Sequence, residues 1–390
     1  MYSATTIPAS KAEPETALAT GAEAPGTADT SGYAESVNPA AEAARSGFYD
    51  RAGQHNLAPL WRVLGSLVPE APKPRALPAL WRYADVRPFV MESCTQISTE
   101  EAERRVMVLE NPGLPGQSRI TQSLFAGLQI ILPGEIAPAH RHVASALRFI
   151  IEGRDAYTAV AGERTMMLPG DFVITPSMTW HDHGNEGTGP MIWLDGLDMH
   201  IVNFFNASFR EAYPGSVQPV HRPDGAAMAE SGSNLLPIDQ QWGTLTSPIF
   251  NYPYLRTREA LDQLKRFRTI NAWHGHKMRY VNPVNGGWAM PTLATCMQLL
   301  PQGFQTRPYR STDSTVFTVV EGQGSSRIST PAGEHLFDWG PHDIFVVPSW
   351  MTVSHTASAG GDGQGGDAVL FSYSDRAVQD KLDLFREEQL

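Results

Sequence analysis

The sequence predicts an all-β fold in which one antiparallel barrel or sandwich occurs twice, behind an N-terminal helical and irregular region. Two observations predict it. From Thr121 onward, short apolar runs alternate with Gly and Pro, the pattern of strands joined by tight turns. After one polar interruption the same texture returns in the same order, which marks an internal duplication.

Residues 1–45 are rich in Ala, Thr, Glu, Pro and Gly and nearly lack large apolar side chains. Such a segment buries too little surface to offset its ordering entropy and reads as a flexible tail. An arm anchored on a neighbouring subunit through Ile7 and Tyr33 is the other reading. Residues 46–112 read as a helical and irregular arm. A helix-like stretch runs from Asn56 to Leu67, broken by Pro72, Pro74 and Pro78, and Ser98 to Ala102 has the form of a capped helix start. The first β-domain spans 113–213, with strands expected at Leu124 to Leu132, Leu147 to Ile151, Ala156 to Val160, Asp171 to Thr175 and Met191 to Leu194. A connector, 214–275, carries one helix, Thr257 to Arg268, with Leu261, Leu264 and Phe267 at helical spacing. The second β-domain, 276–375, repeats the strands at Thr292 to Leu300, Thr315 to Val320, Gly324 to Ser329 and Asp343 to Val347. A charged helix is expected over 376–390.

The echo between the domains is local and direct. Leu300-Pro301 repeats Leu132-Pro133, Val320-Glu321-Gly322 repeats Ile151-Glu152-Gly153, and Ser349 after Pro348 repeats Ser177 after Pro176.

Composition narrows the function. A formal net charge of −11 argues against a nucleic-acid surface or a basic membrane patch. The two cysteines, Cys94 and Cys296, form no metal spacing and read as reduced, buried thiols. No apolar run is long enough to cross a bilayer, and the N-terminus has no basic region leading into an apolar core. The expectation is a cytoplasmic protein.

His140-Arg141-His142 falls in a predicted strand, where alternate side chains share a face. His140 and His142 therefore point the same way, and His181 on a later strand can reach the same interior. The spacing is specific. Gly134, five residues, His140-x-His142 and then Gly153 match one cupin motif. Gly170, five residues, Pro176, His181, three residues and Asn185 match the other. The Glu ligand usual after the second His is replaced by Ala146 and Leu147. Three neutral imidazoles leave a divalent ion its full charge and open positions. Those suit a chelating anionic substrate together with O2. Non-heme iron fits this donor set better than magnesium or calcium, and zinc binds such sites too. By the echo, His140 and His142 align with Pro308 and Arg310, His181 with Val353 and His183 with His355. The second domain should thus be metal-free and structural.

With Ala146-Leu147-Arg148-Phe149, Trp180-His181-Asp182-His183-Gly184-Asn185 and Trp193-Leu194-Asp195-Gly196-Leu197-Asp198, the sequence resembles the gentisate 1,2-dioxygenase family. That family also holds salicylate and 1-hydroxy-2-naphthoate dioxygenases. The resemblance runs from about Trp61 to the C-terminus. It implies a bicupin, two jelly-roll barrels, assembled as a homotetramer, with one Fe(II) per subunit on His140, His142 and His181. It implies insertion of O2 between the carboxyl- and hydroxyl-bearing ring carbons of an aromatic 2-hydroxy-carboxylate, so that gentisate gives maleylpyruvate. Arg104 and Arg148 would hold the substrate carboxylate, as guanidinium forks do well. His183 would act as acid/base, and Asp195 would meet the ring hydroxyl para to the metal-bound one. Gln129, Gly127 and Phe125 would line the pocket. For Arg105 and Arg141 structural ion pairs are expected.

Phe125 stands where the family often has Trp, and Val143 where a hydroxyl residue is frequent. Phe125, smaller and without the indole donor, implies a larger, less polar pocket, and both changes count against a preference for plain gentisate. The same reaction on salicylate, a nitro- or halo-salicylate or 1-hydroxy-2-naphthoate is therefore the alternative. A non-oxygenase bicupin is a weaker one, because those generally keep the Glu ligand.

Overall fold

The computed structural model describes residues 39–239, 243, 245–359 and 366–390. The chain forms two compact units, Met1–Val68 and Pro69–Leu390. In the first, a helix at Pro39–Gln54 begins inside the stretch expected to be a tail. A 3-10 turn at Leu60–Arg62 and a short helix at Leu64–Leu67 follow. Trp61 Nε1 donates to the Tyr49 hydroxyl at 3.1 Å, and Arg62 lies over the Tyr49 ring. Ile7 and Tyr33 lie outside the described residues.

The second unit holds both barrels. Strands β1 (Ala79–Trp81) and β2 (Arg105–Val108) lead into β3 (Phe125–Ile131), β4 (Ile136–His142), β5 (Ala146–Glu152), β6 (Ala156–Val160) and β7 (Glu163–Met167). Then come β8 (Phe172–Thr175), β9 (His181–Asn185), β10 (Met191–Leu197), β11 (Arg210–Ala212) and β12 (Asn251–Tyr252). The second copy runs through β13 (His276–Arg279), β14 (Ala294–Leu300), β15 (Tyr309–Ser311), β16 (Thr315–Glu321) and β17 (Gly324–Thr330). It closes with β18 (Gly333–Trp339), β19 (Ile344–Val347), β20 (Thr352–Ala357), β21 (Ala368–Ser374) and β22 (Glu387–Gln389).

Each barrel has a six-stranded sheet and a five-stranded one. The first pairs β12-β8-β5-β10-β3-β2 with β11-β4-β9-β6-β7, and the second pairs β1-β19-β16-β21-β14-β13 with β18-β17-β20-β15-β22. The six-stranded sheets meet through a shared core of Leu128, Leu147, Phe149, Leu194, Met297, Val316 and Phe371. Phe149 and Phe371 stack there with centroids 4.2 Å apart. Alternate residues of the same strands, Ile150 and Trp193, pack inside the first barrel instead. These strands are buried on both faces, so they read as unbroken apolar runs rather than alternating ones.

The stretch 46–112, expected to be one arm, divides. Residues up to Val68 belong to the first unit, while β1 extends the second barrel's sheet on β19 and β2 extends the first barrel's on β3. Between them lies a helix, Tyr83–Gln96, which Pro88 hides from a sequence reading. Its Arg87 holds Glu152 of β5 through hydrogen bonds of 2.8 to 3.0 Å. At the C-terminus only Arg376–Lys381 is helical, and β22 pairs with β15.

Strand register corrects the alignment of the two copies. Asp195 lies opposite Gly127 and Arg148, as Ser372 lies opposite Cys296 and Phe317. The same bulge falls after Ile192 in one copy and before Glu321 in the other. His140 pairs with His181 as Tyr309 pairs with Val353. Tyr309 and Ser311, not Pro308 and Arg310, therefore occupy the places of His140 and His142. The Leu-Pro echo misleads by one residue, because Leu132 matches Pro301 once the ladders are aligned.

Candidate metal centre and substrate pocket

The five-stranded sheet of the first barrel carries the histidines. β4 and β9 run antiparallel with His140 opposite His181, and the ladder is irregular between Ala137 and His140, around Pro138. Proline has no N–H to give a ladder, so a bulge there is the expected outcome. His140, His142 and His181 offer ligand nitrogens that all lie within 4.8 Å of one another. His142 Nδ1 donates to the Ala144 carbonyl at 2.6 Å, and His181 Nδ1 to that of Thr179 at 2.9 Å. These bonds fix the tautomer and leave Nε2 of each as the ligand atom. His181 Nε2 and His140 Nδ1 are buried with no hydrogen-bond partner among the described residues. Buried orphan nitrogens this close together fit a metal ion.

Burial pushes His140 down to about 2 and His142 to about 4, with nearby Arg104 and Arg148 adding to it. His181 and His183 lie well below the ordinary range for the same reason. All four imidazoles are thus neutral at neutral pH, the state a ligand needs.

The facing six-stranded sheet carries the polar groups. Arg148 of β5 and Gly127 of β3 flank Asp195 of β10 in register. Arg148 Nη1 donates to Thr175 Oγ1 at 2.5 Å, and its Nε lies 3.6 Å from Asp195 Oδ1. Trp193 Nε1 donates to the same Asp195 oxygen at 3.0 Å. Burial lifts Asp195 to about 6 and lowers Arg148, so at this separation desolvation outweighs their attraction for both partners. Arg104 donates to the Pro138 carbonyl at 3.0 Å, and burial with the proximity of Arg148 lowers it to about 9. Both guanidinium groups therefore act on the buried Asp195 carboxylate, Arg148 at 3.6 Å and Arg104 through its field alone.

His183 is fully buried on β9, with Nδ1 2.9 Å from Thr158 Oγ1 and the Trp193 ring 5.4 Å away. Phe125, Gly127 and Gln129 share one face of β3 and are all buried. A Cβ on Gly127 would come 2.5 Å from Val106 Cγ1 and 3.2 Å from the Phe125 ring. Arg105 pairs with Glu135, and Arg141 pairs with Glu211 at 2.6 Å. Sequence reasoning missed Thr158, Thr175, Trp193 and Val106. Trp193 had a signal, since it lies two residues before Asp195 on one strand. The others meet their partners only across strands.

A family model described as a cupin domain matches residues 127–197. Over 351 residues, 90% of this chain and 98% of the relative, the sequence is 52% identical to gentisate 1,2 dioxygenase 1 of Aquipseudomonas alcaligenes. It is 36% identical to a 5-aminosalicylate 1,2-dioxygenase of Comamonas sp, over 85% of this chain and 87% of that one. The solved salicylate 1,2-dioxygenase from Pseudoaminobacter salicylatoxidans, described as an adduct with gentisate, is similar with a TM-score of 0.82 at 31% identity. That match covers 90% of this chain and 94% of the other.

Proposed function

The chain belongs to the gentisate 1,2-dioxygenase family of bicupin enzymes, and from that premise we propose that it opens the ring of gentisate with O2 to give maleylpyruvate. The carbon–carbon bond between the carboxyl- and hydroxyl-bearing positions breaks, and both oxygen atoms enter the product. The observation that carries this reading is the three-histidine cluster set opposite Arg148 and Arg104. We assign His140, His142 and His181 to one Fe(II), which when bound supplies the redox chemistry that lets O2 react with a closed-shell ring. Homotetrameric assembly and a cytoplasmic setting belong to the same proposal.

The residues divide the remaining work. Arg148 and Arg104 bind the substrate carboxylate; with neutral histidines and one Asp195, the pocket is short of negative charge. A dianionic chelating substrate corrects this. Thr175 and Asp195 orient Arg148. His183, held by Thr158, keeps Nε2 free to exchange a proton with the substrate hydroxyl. Asp195 Oδ1 is engaged by Trp193 and Arg148, which leaves Oδ2 for the 5-hydroxyl of gentisate. Gly127 and Phe125 set the room for the ring.

Phe125 favours a second reading, turnover of salicylates without the 5-hydroxyl, since phenylalanine is smaller than an indole and has no donor. One experiment separates the two. The anaerobically iron-loaded protein is assayed for O2 uptake with gentisate, salicylate, 5-substituted salicylates and 1-hydroxy-2-naphthoate. Gentisate should lead, with one O2 per ring. Equal uptake with compounds lacking the 5-hydroxyl would move the protein to the salicylate branch. No uptake with any of them, despite bound iron, would reject the substrate class. His140→Ala should lose iron and at least a thousandfold in turnover; an active variant contradicts the ligand assignment.

A further inference from the structure

In the second barrel Tyr309, Ser311 and Val353 stand at the places of the three histidines, yet its lumen is not filled. The deeper part is packed by Phe317, Phe345, Trp339 and Val353. Above them remains a cavity of about 340 Å³. Its walls include Lys277, Cys296, Tyr309, Ser372 and Ser374. By strand register this is the second barrel's counterpart of the substrate pocket. Cys296 takes the place of Gly127, Ser372 that of Asp195, Tyr309 that of His140 and Ser311 that of His142. Phe317 replaces Arg148. The cations have moved to the edge strand. Lys277 and Arg279 of β13 lie opposite Gln298 and Cys296, as Val106 and Val108 of β2 lie opposite Gln129 and Gly127.

Three cations line this space, Lys277, Arg279 and Arg376, against two carboxylates, Asp313 and Glu387. Both carboxylates face groups of the same lining, and Asp313 also acts on Lys277. Asp313 accepts from Ser311 at 2.5 Å, while Glu387 lies 3.7 Å from His274 and 3.9 Å from Arg376. Lys277 has no hydrogen bond or ion pair among the described residues; its ammonium lies 6.0 Å from the centroid of the Phe317 ring. Burial alone would disfavour the ammonium, but Tyr309, Cys296 and Asp313 nearby keep it charged, and an anion entering the cavity would give it the direct partner it lacks. Met278, Ala294 and Trp288 add apolar wall, which suits an organic rather than an inorganic anion.

We propose that the second barrel is a metal-free binding site for a small organic carboxylate, held by Lys277 within the lumen that mirrors the substrate pocket. The volume suits a single aromatic ring or a short aliphatic diacid.

The test is equilibrium dialysis of the iron-loaded protein under nitrogen, with labelled benzoate and, separately, labelled succinate. Wild type should bind at least one equivalent per chain of one probe, and which probe binds distinguishes an aromatic from an aliphatic ligand. Lys277→Met should lose one equivalent, with affinity for it weakened at least tenfold. Lys277→Gln should do the same, and Lys277→Arg should bind within threefold of wild type. Iron content, melting temperature and gentisate turnover should be unchanged in these variants. Should Lys277→Met fail to fold, Lys277→Gln carries the comparison. Identical isotherms for wild type and the charge-removing variants, or no binding of either probe to wild type, would overturn the proposal.

Discussion

Gly127 shows how single atoms shape the pocket. Its backbone is ordinary extended strand, so the requirement for glycine is spatial rather than conformational. Added Cβ density would meet Val106 and Phe125 at close range. Gly127→Ala should lower stability by roughly 1–3 kcal/mol, as overpacking does. It should also lower the affinity for ring substrates. Urea unfolding and the KM for gentisate test this, and an alanine variant as stable as wild type would show that Val106 yields. The histidine set was legible in the sequence because its members repeat within strands at fixed spacing. Thr158 and Thr175 were not, since each reaches its partner only through the pairing of β6 with β9 and β5 with β8. Such relations depend on register, which no local pattern states.

Among the elements, the helix Tyr83–Gln96 departs most from its local signals. Pro88 sits in its interior and exposed, where the ring removes one hydrogen bond of the helical ladder. What holds the helix is tertiary: Tyr83 and Val90 are buried, and Arg87 grips Glu152. Pro88→Ala should therefore stabilise the protein by about 1 kcal/mol, the restored bond outweighing the freer unfolded chain. A fall in melting temperature would mean that the proline sets the helix's course. The strands were legible where both faces are covered, as in Phe125–Ile131, while Ala368–Ser374, equally buried, follows a Gly-rich stretch that masks its start in the sequence. Short polar strands such as Glu163–Met167 and His181–Asn185 carry no such run. Their place in a sheet is decided by neighbours distant in sequence. The duplication was visible too, but a repeated Leu-Pro pair set it one residue out of step.

Across the whole molecule, Asp375 ties the barrels together. It accepts from Ser123 at the entrance to the first barrel and from the Ser314 amide in the second, at 2.5 and 3.0 Å. Burial, with Asp313 nearby, lifts it from 3.8 to about 7. Between those values the folded protein binds the extra proton. This contribution to stability is therefore complete below pH 3.8 and lost as pH rises through about 7. Asp375→Asn removes it. The unfolding free energy of the variant relative to wild type, from urea titrations, should climb from pH 4 to pH 8 by about 4 kcal/mol at most. A pH-independent difference would place the proton elsewhere.

The back-to-back sheets impose unequal freedom on the two halves of the duplication. Each strand of β10 or β21 shows one row of side chains to its own lumen and the next row to the other barrel. A copy relieved of catalysis can change its inner row without harm, and here Ser372 stands at the place of Asp195. Its outer row, Val369, Phe371 and Tyr373, stays under obligation, because Tyr373 donates to the Phe125 carbonyl at 2.8 Å and supports the active half. Divergence is thereby channelled inward. The silent barrel is a standing scaffold whose interior can take on new chemistry while its exterior keeps the old enzyme upright.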